Sequence, residues 1–122
     1  MLRTLLRSKL HGATVTQADA DYEGSITIDR ELMAAADFAA FERVLVANVT
    51  TGERFETYVI EGPAASGTIG LNGAAARLGH PGDRVIVMAF GSVDEAELAA
   101  VRPRIVLLDR ANRIKEIRRP QP

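Results

Sequence analysis

A small, mostly β, closed barrel is the fold this sequence predicts. Three observations carry the expectation. Eight short strand-like runs recur along the chain, turn signals separate many of them, and only three short helical pieces fit between. With 122 residues, the chain suits one domain, residues 1–122, around a single core.

The first run, Leu2 to His11, places Leu2, Leu6 and Leu10 at even positions and Arg3, Arg7 and Lys9 at odd ones. That is the period of a half-buried strand. Residues 1–18 also lack acids, as a mitochondrial presequence does, but the alternation favours the strand. Ala13 to Gln17 is a second run, and Asp19-Ala20-Asp21-Tyr22-Glu23 follows as a solvated acidic turn. It has neither the glycine nor the distal glutamate of a calcium loop. Ser25 to Ile28 is a third strand, after which Asp29 can cap a helix over Arg30 to Ala36. Val44 to Val49 and Phe55 to Ile60 flank a turn at Thr51-Gly52, and Glu61-Gly62-Pro63 ends the second of them. Thr68 to Leu71 leads to a helix over Gly73 to Leu78, with Asn72 as its cap. Pro81-Gly82-Asp83 precedes the strand Arg84 to Phe90. Asp94 or Ser92 can cap Glu95 to Ala100, and Ile105 to Leu108 is the last strand. The basic tail from Asn112 to Pro122 is expected to fray.

Composition removes several function classes. Fifteen basic and sixteen acidic residues leave a formal charge of −1, and aromatic residues are 5% of the chain, so nothing suggests nucleic-acid binding. Without cysteine there is no disulfide, thiolate nucleophile or cysteine-ligated metal. Two histidines, His11 and His80, are too few for a histidine-based metal site unless carboxylates complete it, so no metal is expected. No apolar run approaches the ~18 residues of a membrane span, and a cytoplasmic address is expected.

Candidate nucleophiles are therefore scarce. There is no Gly-x-Ser-x-Gly elbow and no recognisable Ser-His-Asp spacing. Gly24-Ser25, inside Tyr22-Glu23-Gly24-Ser25, offers a different chemistry. A glycine supplies an unhindered carbonyl on a peptide able to adopt strained dihedrals, and the next hydroxyl can attack it. The resulting ester can eliminate to dehydroalanine, which hydrolyses to a pyruvoyl group at a new N-terminus. By itself Gly-Ser is a very common dipeptide, and far more often it is a turn before a strand.

The surrounding blocks are more specific. Met1-Leu2-Arg3-Thr4 leads to Lys9-Leu10-His11 and Ala13-Thr14-Val15-Thr16. Then come Asp21-Tyr22-Glu23-Gly24-Ser25, Ile28-Asp29, Asn48-Val49-Thr50 with Gly52 and Arg54, and Thr57-Tyr58-Val59-Ile60. Asn72-Gly73-Ala74-Ala75-Ala76 and Gly82-Asp83 before Val85-Ile86-Val87 complete the set. In these blocks, from Met1 to about Leu108, the sequence resembles the bacterial pyruvoyl-dependent aspartate 1-decarboxylases, which supply β-alanine for pantothenate. It departs from them at Gly12, at Phe41 where a polar residue or glycine is usual, and in the tail after Leu108.

The resemblance implies a double-psi barrel assembled as a homotetramer, with active sites between subunits. It implies self-cleavage into chains 1–24 and 25–122, with a helper protein for maturation as a further partner in some cases. The implied cofactor is a pyruvoyl group made from Ser25, with no external cofactor. It would form a Schiff base with L-aspartate and accept the electrons left by CO2, as pyridoxal phosphate does elsewhere. Lys9 and Arg54, with His11 nearby, are the implied partners of the two substrate carboxylates. Asn72, Gly73, Ala74 and Ala75 would line an anion nest at a helix start. Tyr58 is the implied proton donor, and phenols hold their proton at neutral pH. Thr57 would assist self-processing and contact substrate, and Tyr22 would shape the pocket. Two other readings stay open: an unprocessed barrel acting as a binding or regulatory module, and a pyruvoyl enzyme for another amino acid such as glutamate.

Overall fold

Residues 1–121 are described by the computed structural model, and β-strands dominate them. Strand β1 (Leu2–Thr14) absorbs the first expected run and the start of the second. The break expected near Gly12 is a bulge, where the register against the partner strand shifts between His11 and Ala13. A second shift between Leu6 and Ser8 releases Arg7 from the ladder. Its guanidinium reaches the Asp37 carbonyl oxygen at 2.9 Å and Glu42 Oε2 at 2.6 Å. The remainder of the second run forms a separate short strand, β2 (Gln17–Asp19). The acidic turn behind it is exposed, as expected.

Then follow β3 (Ser25–Asp29), α1 (Arg30–Ala36), β4 (Arg43–Asn48), β5 (Arg54–Gly62) and β6 (Ile69–Asn72). After them come β7 (Arg84–Asp94), β8 (Arg104–Leu108) and β9 (Ile114–Arg118). Asp29 caps α1 by accepting from the Glu31 N–H at 2.8 Å, and its carboxylate also holds the Ala65 and Gly67 N–H groups. The other two helical pieces, Gly73–Arg77 and Glu95–Ala100, are short 3₁₀ turns. Asp94, not Ser92, caps the second in a reciprocal box with Glu97. Asn72 does not cap the first, because its side chain is engaged elsewhere. The tail is the clearest correction. Residues 114–118 do not fray but pair with β8, while Pro122 lies outside the described residues. Ile114 and Ile117 stand three residues apart and do not alternate at period two, so the local sequence carried no signal for this strand.

The strands follow the order β2-β6-β3-β5-β4-β7-β1-β8-β9, and the ladder is not closed by hydrogen bonds between its end strands. Side chains bridge the seam instead. Asn112, buried before β9 with φ 61°, exchanges bonds of 2.7 and 2.8 Å with the Thr14 backbone and donates to the Gly67 carbonyl at 2.7 Å. Inside lie Leu10, Ile26, Ile28, Val44, Val46, Val59, Leu71, Val85, Val87 and Val106, all essentially buried. The Asn48 block also proves structural. Asn48 receives the Thr50 and Thr51 N–H groups and donates to Asp83 Oδ2 at 3.0 Å, tying the β4–β5 turn to the start of β7.

Candidate active site

β3 opens with Ser25, whose side chain points away from the core, since Ile26 and Ile28 occupy the inner face. Ser25 is nevertheless only 1% exposed, because β6 and the residues following it cover it. Ser25 and Asn72 are paired across the antiparallel β3–β6 ladder. Asn72 Nδ2 donates to Ser25 Oγ at 3.0 Å and to Thr27 Oγ1 at 2.8 Å. The Ser25 hydroxyl in turn donates to the Glu23 carbonyl at 3.1 Å. Its oxygen is thus fixed from two sides within two residues of the Gly24–Ser25 bond.

Gly73 packs against the residue just before that bond. Its φ is +66°, and a Cβ there would stand 2.6 Å from Gly24 Cα and 2.7 Å from Gly24 N. Only a residue without a side chain lets the backbone come this close. Tyr22, half exposed, has its carbonyl beside Gly73 too. Ala75 is buried and Ala74 exposed in the short turn behind.

Tyr58 joins this corner through the parallel β3–β5 pair. The ladder begins at Ile26↔Val59, so Ser25 and Tyr58 stand one step before it, both on the face opposite Ile26 and Val59. Tyr58 is half-buried, paired with Arg43 across β4–β5 and touched by the Phe41 ring at a centroid distance of 6.3 Å. Thr57 turns the other way, alongside Phe55 and Val59, and no hydrogen bond among the described residues joins it to Ser25.

Lys9 and His11 lie on a different region, and Arg54 stands four residues before Tyr58 on the same face of β5. Rows of facing residues cross β1, β7, β4 and β5: His11, Ile86, Ala47 and Arg54 in one, Lys9, Met88, Leu45 and Glu56 in the next. Lys9, His11 and Arg54 therefore share one outer face. Within one chain they do not converge. His11 and Arg54 are three strand steps apart, and β1 is four steps from β3, roughly 19 Å along the sheet at about 4.8 Å per step. Partial burial of the His11 ring, then the charges of Lys9, Arg84, Arg118 and Lys115, hold its pKa below the ordinary histidine value, although the residue as a whole stays exposed. Among the described residues no cluster of potential metal ligands occurs, and no helix is long and apolar enough to cross a membrane.

The sequence matches the family model described as "Aspartate decarboxylase" over residues 1–115. The chain belongs to the aspartate decarboxylase family. Curated relatives agree along nearly the whole length. An aspartate 1-decarboxylase of Myxococcus xanthus is 55% identical over 126 residues, covering 99% of this chain and 97% of that protein. Another, of Ralstonia nicotianae, is 54% identical over 118 residues, covering 97% and 98%. A third, of Ralstonia pickettii, is 52% identical over the same length.

For a chain of the aspartate decarboxylase family, the structure brings Ser25, Asn72, Gly73, Gly24 and Tyr22 together and sets Tyr58 beside them. It leaves Lys9, His11 and Arg54 on the outer face. Sequence reading overlooked Thr27, which shares the Asn72 amide. Its position two residues after Ser25, on the same strand face, was the available signal.

Proposed function

We propose that this chain is a self-processing L-aspartate 1-decarboxylase, cut between Gly24 and Ser25 and producing β-alanine and CO2, a supply of β-alanine for pantothenate. The observation that carries the reading is the fixed Ser25 Oγ, held by Asn72 at 3.0 Å beside a Gly24 backbone against which Gly73 is packed. Maturation uses this chain's own atoms. Ser25 Oγ adds to the Gly24 carbonyl carbon, the C–N bond breaks, and the Ser25 nitrogen takes the proton. Loss of the Ser25 α-proton expels Gly24 as a carboxylate and leaves dehydroalanine. Water then replaces the nitrogen, which departs as ammonia, and residue 25 keeps a ketone. Asn72 orients the nucleophile, and Thr57, which faces away from Ser25 within one chain, assists at the same step from across a subunit interface.

When formed, the pyruvoyl carbonyl supplies the electron sink that the departing carboxylate requires. The side chains do the rest. Arg54 takes one substrate carboxylate in a bidentate grip, and Lys9 serves as a point charge for the other, with His11 beside it. The Asn72-Gly73-Ala74-Ala75 turn offers small side chains and backbone N–H groups to the substrate, and Tyr22 borders the pocket. Tyr58 returns a proton to the carbon that lost CO2.

The separation of Lys9 and His11 from Ser25 within one chain supports a site completed between subunits of a homotetramer. Exposed Phe41, Val49 and Phe90 fit the same assembly, since large apolar side chains left on a surface are candidates for burial against a partner. A cytoplasmic location accords with this chemistry.

Intact mass under denaturing conditions tests the reading. Two polypeptides are expected, and the long one should be lighter than residues 25–122 by one ammonia. Ser25→Ala should stay a single chain. A single unmodified chain that decarboxylated aspartate would overturn the cofactor assignment, and a single inert chain would fit a regulatory barrel. Faster turnover of glutamate than aspartate would reassign the substrate.

A further inference from the structure

A side-chain amide nitrogen carries two hydrogens, and in Asn72 both are used. One goes to Ser25 Oγ at 3.0 Å and the other to Thr27 Oγ1 at 2.8 Å. Asn72 is 3% exposed and Ser25 1%, so solvent offers neither hydrogen a ready substitute.

Strand pairing builds this fork. Ser25 and Thr27 lie two residues apart on one face of β3. Across the antiparallel ladder Ser25 faces Asn72, whereas Thr27 faces Gly70. Gly70 presents no side chain of its own, and Thr27 bonds on the diagonal to Asn72 instead. On the β5 side, a Cβ added to Gly62 would stand 3.0 Å from Thr27 Cγ2, so the methyl is seated against bare glycine backbone. A β-branched residue has few χ1 choices, and seating its methyl also aims its hydroxyl.

The fork bears on the nucleophile. Ser25 Oγ gains negative charge as its proton leaves, and a donor already fixed on it stabilises that charge without rearrangement. The second Asn72 hydrogen decides how firmly the first is held. Buried without an acceptor, it would favour turning the amide away from Ser25.

We propose that Thr27 is a positioning residue for self-cleavage: seated against Gly62, it takes one Asn72 N–H and so holds the other on Ser25 Oγ during attack on Gly24. The proposal rests on the self-processing reading above and leaves its bond-breaking steps unchanged. Thr27 touches no reacting atom and acts only through Asn72.

Cell-free translation yields the uncut chain, and denaturing mass follows its cleavage with time. Thr27→Val keeps the shape and a methyl on Gly62 but removes the acceptor. Its cleavage should be about tenfold slower or more, the effect of unpairing a buried donor. Thr27→Ser, which returns the hydroxyl, should restore the rate. Asn72→Ala should be slow as well, and adding Thr27→Val to it should slow cleavage no further, because the two residues act as one unit. A merely structural Thr27 would instead add its loss to that of Asn72→Ala. Should Thr27→Val not fold, Thr27→Ala takes its place with the same expected pattern. Normal cleavage of Thr27→Val, beside a Ser25→Ala chain that stays whole, would overturn the role of Thr27 and leave self-cleavage standing. Additive losses, failure of Thr27→Ser to restore the rate, or normal cleavage of Asn72→Ala would overturn it too. Cleavage of Ser25→Ala at the same bond would remove the self-processing reading and this proposal with it.

Discussion

Two regions of this molecule carry the residues of its chemistry, and they are built in opposite ways. Around Ser25 the structure is dense. A buried hydroxyl sits between an amide donor and a carbonyl acceptor, Gly73 packs on the Gly24 backbone, and β6 covers the whole. On the outer face of β1, β7, β4 and β5 the cations are spread along a sheet, and no substrate carboxylate could reach them all within one chain. The difference teaches that cleavage and substrate binding have separate structural requirements. A peptide bond must be strained and aligned before it breaks, which one rigid chain can do. A substrate with two carboxylates needs convergent charges, which on the proposed reading a second copy would supply by bringing its outer face to the Ser25 corner.

The sharpest way to break the dense region is Gly73→Ala. The new methyl would meet Gly24 Cα at 2.6 Å, and left-handed backbone costs an L-residue about 1–2 kcal/mol besides. Cleavage should fail or slow severely, read as persistent uncut chain by mass. Cleavage at the normal rate would show that the close Gly73–Gly24 approach is not needed.

Tyr58→Phe and Thr57→Val divide the two functions from within one strand. Tyr58→Phe should cleave normally yet lose roughly 10²–10⁴-fold in turnover, the contribution of a positioned general acid. Thr57→Val should be limited chiefly by poor cleavage. Equal effects of both variants on both steps would mean that the two regions are not separable.

On the outer face the losses should be smaller. Arg54→Gln and Lys9→Gln should each weaken aspartate binding by about tenfold to a hundredfold, corresponding to ~1.5–3 kcal/mol for a charge-assisted contact. Self-cleavage should continue in both. Kinetics matching the unsubstituted enzyme would move the carboxylate sites elsewhere.

The smallest effect belongs to His11. Its folded pKa lies below the unfolded value of about 6.5. The unfolded chain therefore binds more protons in the window between the two. Stability contributed by neutral His11 is complete above that ordinary value and is lost as pH falls from it through the folded pKa. Urea denaturation across this window should show the decline, and His11→Gln should flatten it. An identical slope in His11→Gln would assign the decline to other groups.

Much of the architecture was legible beforehand, for reasons particular to each element. Alternation exposed β1, a β-rich run between turns exposed β5, and the Asp29 and Asp94 caps marked helix starts, because each of these depends on neighbours in sequence. Asn72 was misread for the same reason. A local rule makes it a cap, but the antiparallel β3–β6 pairing places Ser25 and Thr27 within reach of its amide. The fate of the tail depended likewise on the free edge of β8.

The sequence by itself determined the chemistry available to this protein: a Gly24-Ser25 bond that can rearrange, no thiol to compete, and the ordered blocks of one family. Those are properties of residue type and order, which no folding step alters. Tertiary structure alone decided which groups meet. Ser25 and Asn72 are 47 residues apart and bond at 3.0 Å, whereas Lys9 and His11 come early in the chain with Ser25 yet lie across the sheet from it. Register, bulges and the Asn112 bridge set those distances, because hydrogen-bonded pairing between remote strands, rather than separation along the chain, fixes where a side chain stands.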